Sequence, residues 1–436
     1  MSEDTYTTLT DTVLSAIQKA SCAGRLVVAF SGGVDSHVLL HVLVQLGKRD
    51  LIRHPLVACH INHQLQHASA KWSEHCKEVA EKLGVAIHCI DVDVDLTKGA
   101  SPEEAARDAR YEALQSMLEP GDGLVTAHHA GDQVETLLLQ LLRGAGVDGL
   151  ASMAASRSEG FLHYRPLLGI GRAQILDYAR TNSLQWIEDP SNASERFSRN
   201  YLRNEVVPLL RSRWPGLEKS IARTAENCAD SAALNRALAE IDSSEIVDAV
   251  GRVNLRALGM LDSARKANVL RYWIKHRTRY FPSRSSIKEI LHSVIGASED
   301  ATPEYVIGEM LLKRYRQHLY LVEREANPLP EDWELVWHDT DNDLPIPELN
   351  FCLSQTLLRN AMSRSRPDGV VTVRVRRGGE TLRAIGQQSK SLKNLFQEKG
   401  IPPWYRDRIP LVFCGDRLIA IAGLEEFSCD EIKFSQ

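Results

Sequence analysis

A turn rich in glycine and hydroxyl side chains separates an apolar run from a helical pattern, and it holds the residues best suited to phosphate chemistry. Glycine lets backbone amides approach a ligand closely, and a helix start carries unpaired N–H groups and a positive dipole end. The turn therefore predicts a pyrophosphate site, against the alternative of a tight strand–helix connection without a ligand. Its residues are Ser31, Gly32, Gly33, Val34, Asp35 and Ser36.

The chemistry of this turn differs from that of two common nucleotide sites. The carboxylate of Asp35 would repel phosphate unless a cation lies between them, which predicts Mg²⁺ at Asp35. The turn lacks the lysine of a G-x-x-x-x-G-K-S/T loop and the spacing of a G-x-G-x-x-G loop. A conventional phosphate-clamping NTPase and a dinucleotide-dependent oxidoreductase are therefore poor fits.

Two carboxylates, Asp132 and Glu135, lie three positions apart in a segment with helical spacing. Residues at this spacing share one face of a helix. The pair suits a cationic ligand or the removal of a proton from one, although a solvated helix face has the same spacing. Because the segment directly follows a predicted strand, at the edge where α/β sheets bind ligands, we favour the functional interpretation.

Histidines and arginines accompany these carboxylates. His128 and His129 follow the fourth predicted strand, where either could contact phosphate; a pair of packed histidines is the alternative. Arg107 and Arg110 lie three apart on a helix that opens at Ser101, and they suit a phosphate or a pyrophosphate leaving group. Ion pairing with acids of the same helix is the competing interpretation.

The elements that must position these groups alternate between strand and helix over the first 150 residues. Apolar β-branched runs predict buried parallel strands, and amphipathic runs predict helices. This alternation predicts an α/β fold with a doubly wound parallel sheet, which binds ligands at the carboxyl ends of its strands. The predicted strands are 26–30, 56–61, 85–92 and 123–126, and the predicted helices begin near 36, 70, 101 and 132.

Length and composition predict further domains. The chain has 436 residues, or about three domains at roughly 150 residues each. Its 43% hydrophobic and 25% charged residues exclude a fibrous repeat, a disulfide miniprotein and a wholly disordered chain. The predicted parts are a catalytic domain over 1–216 that contains the glycine-rich turn, a mainly helical domain over 217–327, an acidic linker or exposed edge over 328–349 and a small mixed α/β domain over 350–436.

Cysteine usage and hydropathy indicate the compartment. None of the eight cysteines forms a C-x-x-C pair, which leaves a zinc ribbon and a thioredoxin-type site without support. We expect free thiols in a reducing cytoplasm. The first residues are acidic and lack an apolar signal core, and no run approaches the roughly 18 apolar residues that span a bilayer, so no membrane association is predicted.

Local charge indicates where RNA could bind, because the net charge of −5 gives no global basic excess. Residues 251–285 hold nine Lys and Arg against one acid, and residues 364–393 hold eight against two. Such clusters predict phosphate contacts, and the interleaved Tyr272, Trp273 and Tyr280 predict stacking on unpaired bases; solvated basic faces are the alternative. The candidate contacts to RNA are Arg271, Lys275, Arg376, Lys390 and Lys393.

The turn after an apolar strand resembles the SGGVDS signature of the PP-loop ATP pyrophosphatases. The resemblance implies an enzyme that cleaves ATP between its α and β phosphates and transfers AMP to an oxygen of its substrate. The substrate is thereby activated for attack by a nitrogen or sulfur nucleophile.

Further segments narrow the resemblance to the bacterial tRNA(Ile)-lysidine synthetase family, and it covers nearly the whole chain. That family adenylates the wobble cytidine of an isoleucine tRNA with a CAU-type anticodon, and the side-chain amine of free L-lysine then displaces AMP. The implied cofactors are ATP and Mg²⁺, and a homodimer remains open. The segments are HINHQL at 60–65, AHHAGDQVET at 127–136, WIEDPSN at 186–192, RNYLR at 199–203 and IPPWYRDRIPLVF at 401–413.

The resemblance also implies roles for single residues. Asp35, His128, Asp132 and Glu135 are expected to take part in catalysis, the last two by binding lysine. ATP is expected to contact the turn over 31–36 together with His60 and Arg110. The residues expected to contact tRNA or phosphate near the active site are Arg199, Asn200 and Arg203.

The chain departs from the family pattern at one residue. The family usually has two consecutive acids before Gln133, and in this chain Gly131 stands in place of the first of them.

Two rival functions are opposed by the sequence. A tRNA thiolase or a glutamine-dependent synthetase of the same superfamily would need cysteine nucleophiles that are not visible. A non-catalytic tRNA-binding protein with a vestigial turn is opposed by the intact turn and by Asp132 and Glu135.

Overall fold

The computed structural model divides into two compact units, residues 1–238 and 239–436, each described here by itself. The predicted boundaries near 216, 327 and 349 stay predictions. The residues that the structure describes are 2–62, 69–93, 102–158, 160–188, 198–278, 280–298, 301–324, 329–330, 332–349, 351–365, 369–382 and 390–423.

The first unit is built on a six-stranded sheet in the order β3-β2-β1-β4-β6-β5, parallel except for β5. The four predicted strands and the helices that follow them are confirmed to within a few residues. The strands are β1 (Leu26–Ala29), β2 (Leu56–Asn62), β3 (Ala86–Asp91), β4 (Gly123–Val125), β5 (Ser156–Arg157) and β6 (Leu162–Tyr164). The helices are α1 (Ser2–Gln18), α2 (Val34–Lys48), α3 (Ser69–Leu83), α4 (Pro102–Ser116), α5 (Ala130–Leu142), α6 (Val147–Leu150), α7 (Arg172–Thr181), α8 (Ser198–Tyr201), α9 (Val207–Arg213) and α10 (Leu217–Ile246).

Strand β1 shows why its sequence is uniformly apolar: its two faces line different cores. Leu26 and Val28 belong to the larger core, which also contains residues of α1, α2 and α7. Val27 belongs to a second core with Leu114 of α4. The sheet is thus covered on both faces, as predicted for a doubly wound fold.

The strand order places the ligand crevice. The chain proceeds from β1 outward to β2 and β3, then returns through α4 to β4 on the other side of β1. The carboxyl ends of β1 and β4 therefore flank a topological switch point, where α/β sheets bind their ligands. The loop 30–33 leaves β1 at this point, and the loop 126–129 leaves β4 beside it.

A helical stretch over residues 198–213 contains a π-helical segment, Leu202–Val206, between α8 and α9. Pro208 supplies a physical reason, because it has no N–H and its ring clashes with the carbonyl of Asn204 one turn earlier. The widened turn presents Arg203. Such segments are frequent at functional sites.

The second unit contains several antiparallel sheets. Its strands are β7 (Val253–Asn254), β8 (Glu304–Ile307), β9 (Met310–Tyr315), β10 (His318–Glu323), β11 (Glu334–Val336), β12 (Leu344–Ile346), β13 (Phe351–Leu353), β14 (Val371–Arg374), β15 (Thr381–Leu382), β16 (Lys390–Ser391), β17 (Leu411–Cys414) and β18 (Arg417–Ile421). Its helices are α11 (Leu255–Gly259), α12 (Ser263–Thr278), α13 (Arg284–Glu289), α14 (Gln355–Ser365), α15 (Leu392–Glu398) and α16 (Pro403–Arg406), with a π segment at Ile290–Ile295 and a 3₁₀ turn at Pro347–Leu349.

Two cores organise this unit. Helices α12 and α13 pack on the sheet β7-β10-β9-β8, so the region predicted as mainly helical also carries strands. The other core lies around the sheet β11-β14-β17-β18. Strand β11 and Trp337, which is 2% exposed, belong to it. An acid of this segment, Glu334, lies at the edge of the sheet, where it pairs with Arg374 and Arg377. The acidic linker over 328–349 stays a prediction.

Candidate active site

The glycine-rich turn follows β1 and is closed by its own serines. The hydroxyl oxygens of Ser31 and Ser36 lie 3.0 Å apart, and the Ser31 N–H donates to Ser36 at 3.2 Å. The Ser36 hydroxyl donates to the carbonyl of Gly33 at 3.1 Å. These bonds fold the loop back on the start of α2, where its amides can face a ligand.

Gly32 is the residue at which the turn requires glycine. Its φ is +81°, and a Cβ there would lie 2.9 Å from the Cys76 sulfur. The carbonyl of Gly32 accepts a hydrogen bond from the Ile187 N–H at 3.0 Å. A segment distant in the sequence therefore contacts the turn. Of the motif over 186–192, residues 189–192 lie outside the described part of the chain.

Helix α2 begins with its backbone amides free of a side-chain cap. Its N-cap is Gly33, which provides no oxygen to accept from them. The 15-residue helix therefore offers unpaired N–H groups and its positive dipole end to an anion. This geometry supports the phosphate chemistry expected of the turn.

Asp35, in the first turn of α2, carries a buried oxygen without a partner. Its Oδ1 has no hydrogen bond from the described residues, and Nε2 of His129 lies 3.9 Å from it. Burial raises the pKa of Asp35 more than His129, Arg172 and Arg203 lower it, so the protein alone compensates its ionised form only in part. A metal ion bound with the nucleotide would provide that compensation.

The start of α5 brings a second carboxylate to the same place. His129 is the N-cap: its Nδ1 accepts from the Gly131 N–H at 2.9 Å, while Asp132 accepts from the His129 N–H at 2.9 Å. Because Nδ1 is an acceptor, Nε2 is the protonated nitrogen of His129. It lies 3.9 Å from Asp35 and 3.7 Å from Asp132, and so links the two carboxylates.

Gly131 explains how the His129 ring reaches this position. A Cβ at residue 131 would lie 2.7 Å from Cε1 of His129. Because this chain has glycine where the family has an acid, the imidazole of His129 can occupy the space that a side chain at residue 131 would take.

Glu135 is 2% exposed and is held by arginine. Arg203 donates to its two oxygens at 2.6 and 2.9 Å, and donates to Asp132 at 3.2 Å. Arg199 lies 3.5 Å from Glu135 and donates to Thr136 at 2.8 Å. The two carboxylates predicted from their spacing do share one face, but arginines predicted to contact tRNA neutralise them.

The environments of the two carboxylates drive their pKa values apart. Burial raises the pKa of Glu135, and the Arg203 guanidinium offsets this only in part. Burial also acts to raise the pKa of Asp132, but His129, its N–H and Arg203 outweigh burial and lower it. Asp132 is therefore the more firmly ionised member of the pair.

The other predicted nucleotide contacts surround the same edge. His60 lies in β2, and its Nδ1 donates a hydrogen bond to the carbonyl of Phe30 at 3.0 Å. This bond holds the residue that precedes the turn. Arg110 of α4 interacts electrostatically with Asp132 and Arg107, and burial lowers its pKa. His128 lies at the end of β4, and burial lowers its pKa to about 3, so the ring is neutral.

The candidate RNA contacts of the second unit differ in their surroundings. Lys275 of α12 and Lys393 of α15 are exposed. Arg271 is half-buried, and Arg376 lies 3.5 Å from Asp407. The side chain of Lys390 lies outside the described residues. The expectation that Trp273 stacks on bases is wrong: it is 4% exposed, and its Nε1–H donates to the Gly251 carbonyl.

Sequence reasoning missed several contributors to the site. His129 was a candidate for phosphate contact only, although an N-cap followed three residues later by an acid has the spacing of a capping box. Thr126 Oγ1 and His163 Nε2 lie 2.9 Å apart. Neither residue was recognisable from the sequence, because each belongs to a strand pattern of five residues or fewer.

The fold and this site define an ATP-dependent enzyme of the PP-loop class. Residues 6–210 match the PP-loop domain. Residues 254–320 match the TilS substrate binding domain, and residues 371–431 match the TilS substrate C-terminal domain. These three matches follow one another along the chain.

Whole-length relatives identify the family. The tRNA(Ile)-lysidine synthase of Legionella pneumophila (strain Paris) is 39% identical over 400 residues, 92% of this chain and 91% of the relative. Those of Methylococcus capsulatus and Coxiella burnetii are 40% identical over 406 residues (91% and 90%) and 37% identical over 420 residues (94% and 91%). Among solved structures, the U34-tRNA thiolase NcsA from Methanococcus maripaludis aligns with a TM-score of 0.45 and 19% identity, over 52% of this chain and 79% of that one. The chain belongs to the tRNA(Ile)-lysidine synthase family.

Proposed function

We propose that this enzyme joins free L-lysine to the wobble cytidine of an isoleucine tRNA with a CAU-type anticodon, using ATP. Membership of the family supports the reaction. The observation that carries the proposal is the link from Asp35 through His129 to Asp132, at 3.9 and 3.7 Å. It joins the nucleotide turn of β1 to the carboxylates of α5, so one crevice can activate the base and receive the amine.

ATP binds with its phosphates at the start of α2. The uncapped amides at the start of α2 and the Ser31 hydroxyl provide donors for the phosphate oxygens. Arg110 and Arg107 provide charge for the departing pyrophosphate, and His60 keeps the turn in place through Phe30.

Mg²⁺ fits at Asp35. Its partnerless buried Oδ1 has the chemistry of an oxygen ligand for a hard cation. Among the described residues, no group of three or more His, Cys, Asp or Glu side chains is arranged to hold a metal. An ion held by one carboxylate and by the phosphates of its substrate is the usual arrangement for Mg²⁺, which would neutralise charge on the phosphates.

The reaction has two steps with one activated intermediate. The carbonyl oxygen of the cytidine attacks the α phosphorus of ATP, and pyrophosphate leaves. The lysine side-chain nitrogen then attacks the adenylated carbon, the bond to oxygen breaks, and AMP leaves. The protein must therefore bind a cationic amine and remove a proton from it before the attack.

Asp132 is the carboxylate that we assign to the lysine ammonium. It is ionised more firmly than Glu135, and it accepts one hydrogen bond from Arg203 where Glu135 accepts two. Glu135 contributes to lysine binding by fixing Arg203 beside Asp132. His128 is neutral in this site and donates a hydrogen bond to the substrate.

The tRNA is proposed to contact basic groups in both units. Arg199, Asn200 and Arg203 lie on the helical stretch beside α5, and Lys275 and Lys393 are exposed in the second unit. Arg271, Arg376 and Lys390 complete the predicted set.

Location and assembly stay predictions. Within the described ranges, no helix has the length and hydropathy to cross a membrane. The described cysteines are free, which suits the predicted cytoplasmic location. A homodimer is the assembly to test.

The proposed function is tested by following labelled amino acids into acid-insoluble RNA with the purified enzyme, ATP, Mg²⁺ and bulk bacterial tRNA. Lysine alone among the twenty amino acids is expected to enter the RNA, with release of AMP and pyrophosphate. Pyrophosphate release without lysine incorporation would contradict the proposal in favour of another nucleophile. No ATP turnover with folded tRNA would contradict it in favour of a tRNA-binding protein.

A further inference from the structure

A line of four hydrogen-bonded side chains, named here the histidine relay, ends at the active-site crevice. Arg165 Nη2 lies 3.1 Å from Nδ1 of His163, and Nε2 of His163 lies 2.9 Å from the Thr126 hydroxyl. The same hydroxyl lies 2.8 Å from Nδ1 of His128. Relay members other than His128 are almost fully buried: His163 is 1% exposed, Thr126 6% and Arg165 9%.

Each hydrogen bond of the relay is donated in the same direction, from Arg165 towards His128. A guanidinium only donates, so the Nδ1 of His163 that faces Arg165 is an acceptor. Burial, helped by the charge of Arg165, lowers the pKa of His163 to about 3, so the ring is neutral and carries its proton on Nε2. That N–H donates to the oxygen of Thr126.

Thr126 passes this direction on to His128. Its oxygen accepts from His163, and its one proton has no acceptor other than Nδ1 of His128 in the described part of the chain. The hydroxyl proton is directed to Nδ1 of His128, which makes that nitrogen an acceptor. The proton of the neutral His128 ring is then on Nε2.

Packing fixes the middle of the relay. The Phe161 ring stacks on His163 at 5.8 Å with an interplanar angle of 20°, and the Tyr111 ring lies 5.8 Å away on α4. Arg165 is anchored by donation to the Ala154 carbonyl at 2.7 Å. These contacts hold the imidazole of His163 between Arg165 and Thr126.

We propose that the histidine relay holds His128 as the neutral Nε2–H tautomer, so that it serves the reaction as a hydrogen-bond donor to a substrate oxygen that gains negative charge. This inference rests on the proposed function, and it removes His128 from the candidates for the base that deprotonates lysine. Arg165, His163 and Thr126 act through His128 and are positioning residues.

The first test reads the tautomer directly. Full-length enzyme with ¹⁵N-labelled histidine is examined by NMR, and the His128 signals are assigned by their loss in the His128→Gln variant. The relay predicts protonated Nε2 and unprotonated Nδ1 in the wild type. Thr126→Val removes the hydroxyl at nearly constant volume and is expected to release the fixed tautomer, whereas Thr126→Ser keeps it.

The second test reads the reaction. The rate constant kcat for lysine-dependent AMP release is expected to fall about 10- to 100-fold in Thr126→Val, the size of effect typical for loss of a group that orients an imidazole. The KM values for ATP and lysine should stay near those of the wild type. Thr126→Ser is expected to rescue kcat. His163→Phe, which keeps a ring beside Phe161, should match Thr126→Val.

The outcomes separate the relay from the proposed function. A wild-type His128 with its proton on Nδ1 would overturn the relay, as would an unchanged tautomer and kcat in Thr126→Val. Equal loss of kcat in Thr126→Val and Thr126→Ser would also overturn it, because packing alone would then explain the effect. Wild-type enzyme that shows the Nε2–H signal without joining lysine to tRNA would contradict the proposed function and leave the relay supported.

Discussion

Arg203 donates two hydrogen bonds, of 2.6 and 2.9 Å, to the carboxylate of Glu135, although the two residues lie 68 positions apart in the chain. The arginine comes from the widened turn of the stretch 198–213, and the glutamate from α5. A bidentate pair of this kind fixes direction as well as charge. It sets the position of Arg203 next to Asp132, where the lysine ammonium is assigned.

The variant Glu135→Gln tests that arrangement. We expect the KM for lysine to rise about 10-fold or more, because Arg203 loses its ionic partner and competes for Asp132. ATP-dependent pyrophosphate release with tRNA should continue, since the turn at β1 is untouched. The exposed Glu205→Gln on the same helical stretch is the matched control. Equal KM values for lysine in the wild type and Glu135→Gln would refute the assignment.

Asp35→Asn tests the cation site. Pyrophosphate release should fall by about 10²- to 10³-fold, the usual cost of losing an electrostatic contact to the reacting phosphates. The remaining rate should lose its dependence on Mg²⁺ concentration in the range where the wild type responds. Asp177→Asn, an exposed acid on α7, is the control. A normal Mg²⁺ titration in Asp35→Asn would place the ion elsewhere.

Gly131→Ala tests the space that His129 occupies. In most helices this change stabilises, but here the new Cβ would lie 2.7 Å from the His129 ring. We expect the free energy of unfolding to fall by about 1 to 3 kcal/mol and the rate of ligation to fall as the ring leaves its cap. Gly47→Ala in α2 meets no atom within 4 Å and should stabilise by roughly 0.5 to 1 kcal/mol. Stabilisation by both changes would disprove the crowding.

Acid should destabilise the first unit through its buried histidines. Burial lowers the pKa of His37 to about 4 and that of His163 to about 3, both below the ordinary value of 6.5. The unfolded chain therefore binds more protons, so the stability that these groups contribute is complete above about pH 6.5 and is lost as the pH falls. Between pH 7 and 5 each should cost about 1 to 2 kcal/mol.

Thermal unfolding at pH 5, 6 and 7 checks this expectation. The variant His37→Leu should show a shallower decline of the melting temperature with falling pH than the wild type. The exposed His276→Asn on α12 should decline in parallel with the wild type. Parallel curves for all three proteins would show that His37 ionises equally in the folded and unfolded chain.

The architecture of the first unit was predictable because its signals are local. The runs at β1, β2 and β4 are apolar on both faces, and the strand–helix alternation leaves few ways to wind the sheet. The surroundings of residues 332–349 were not predictable, for the opposite reason. Acid and proline content describes residues 332–349, but the partners that bury Trp337 and pair Glu334 come from β14, more than 30 residues later.

The site was predictable as a set of groups but not as a set of pairs. The helical spacing of Asp132 and Glu135 placed both on one face, and the strand ends placed them near the turn. Pattern alone could not show that Arg203 neutralises Glu135, or that Gly131 makes room for His129, because both depend on distances across the fold. The relay through Thr126 and His163 joins two strands and has no sequence spacing of its own.

The most direct test of a single crevice for both steps is transfer of label from [α-³²P]ATP to tRNA without lysine. We predict that the purified enzyme with Mg²⁺ attaches labelled AMP to an isoleucine tRNA with a CAU-type anticodon, and that lysine then releases this label as AMP with equal incorporation of lysine. Asp132→Asn should form the labelled tRNA and fail to discharge it. Lysine incorporation without any labelled tRNA, at any time or in any variant, would contradict the adenylated intermediate on which the account depends.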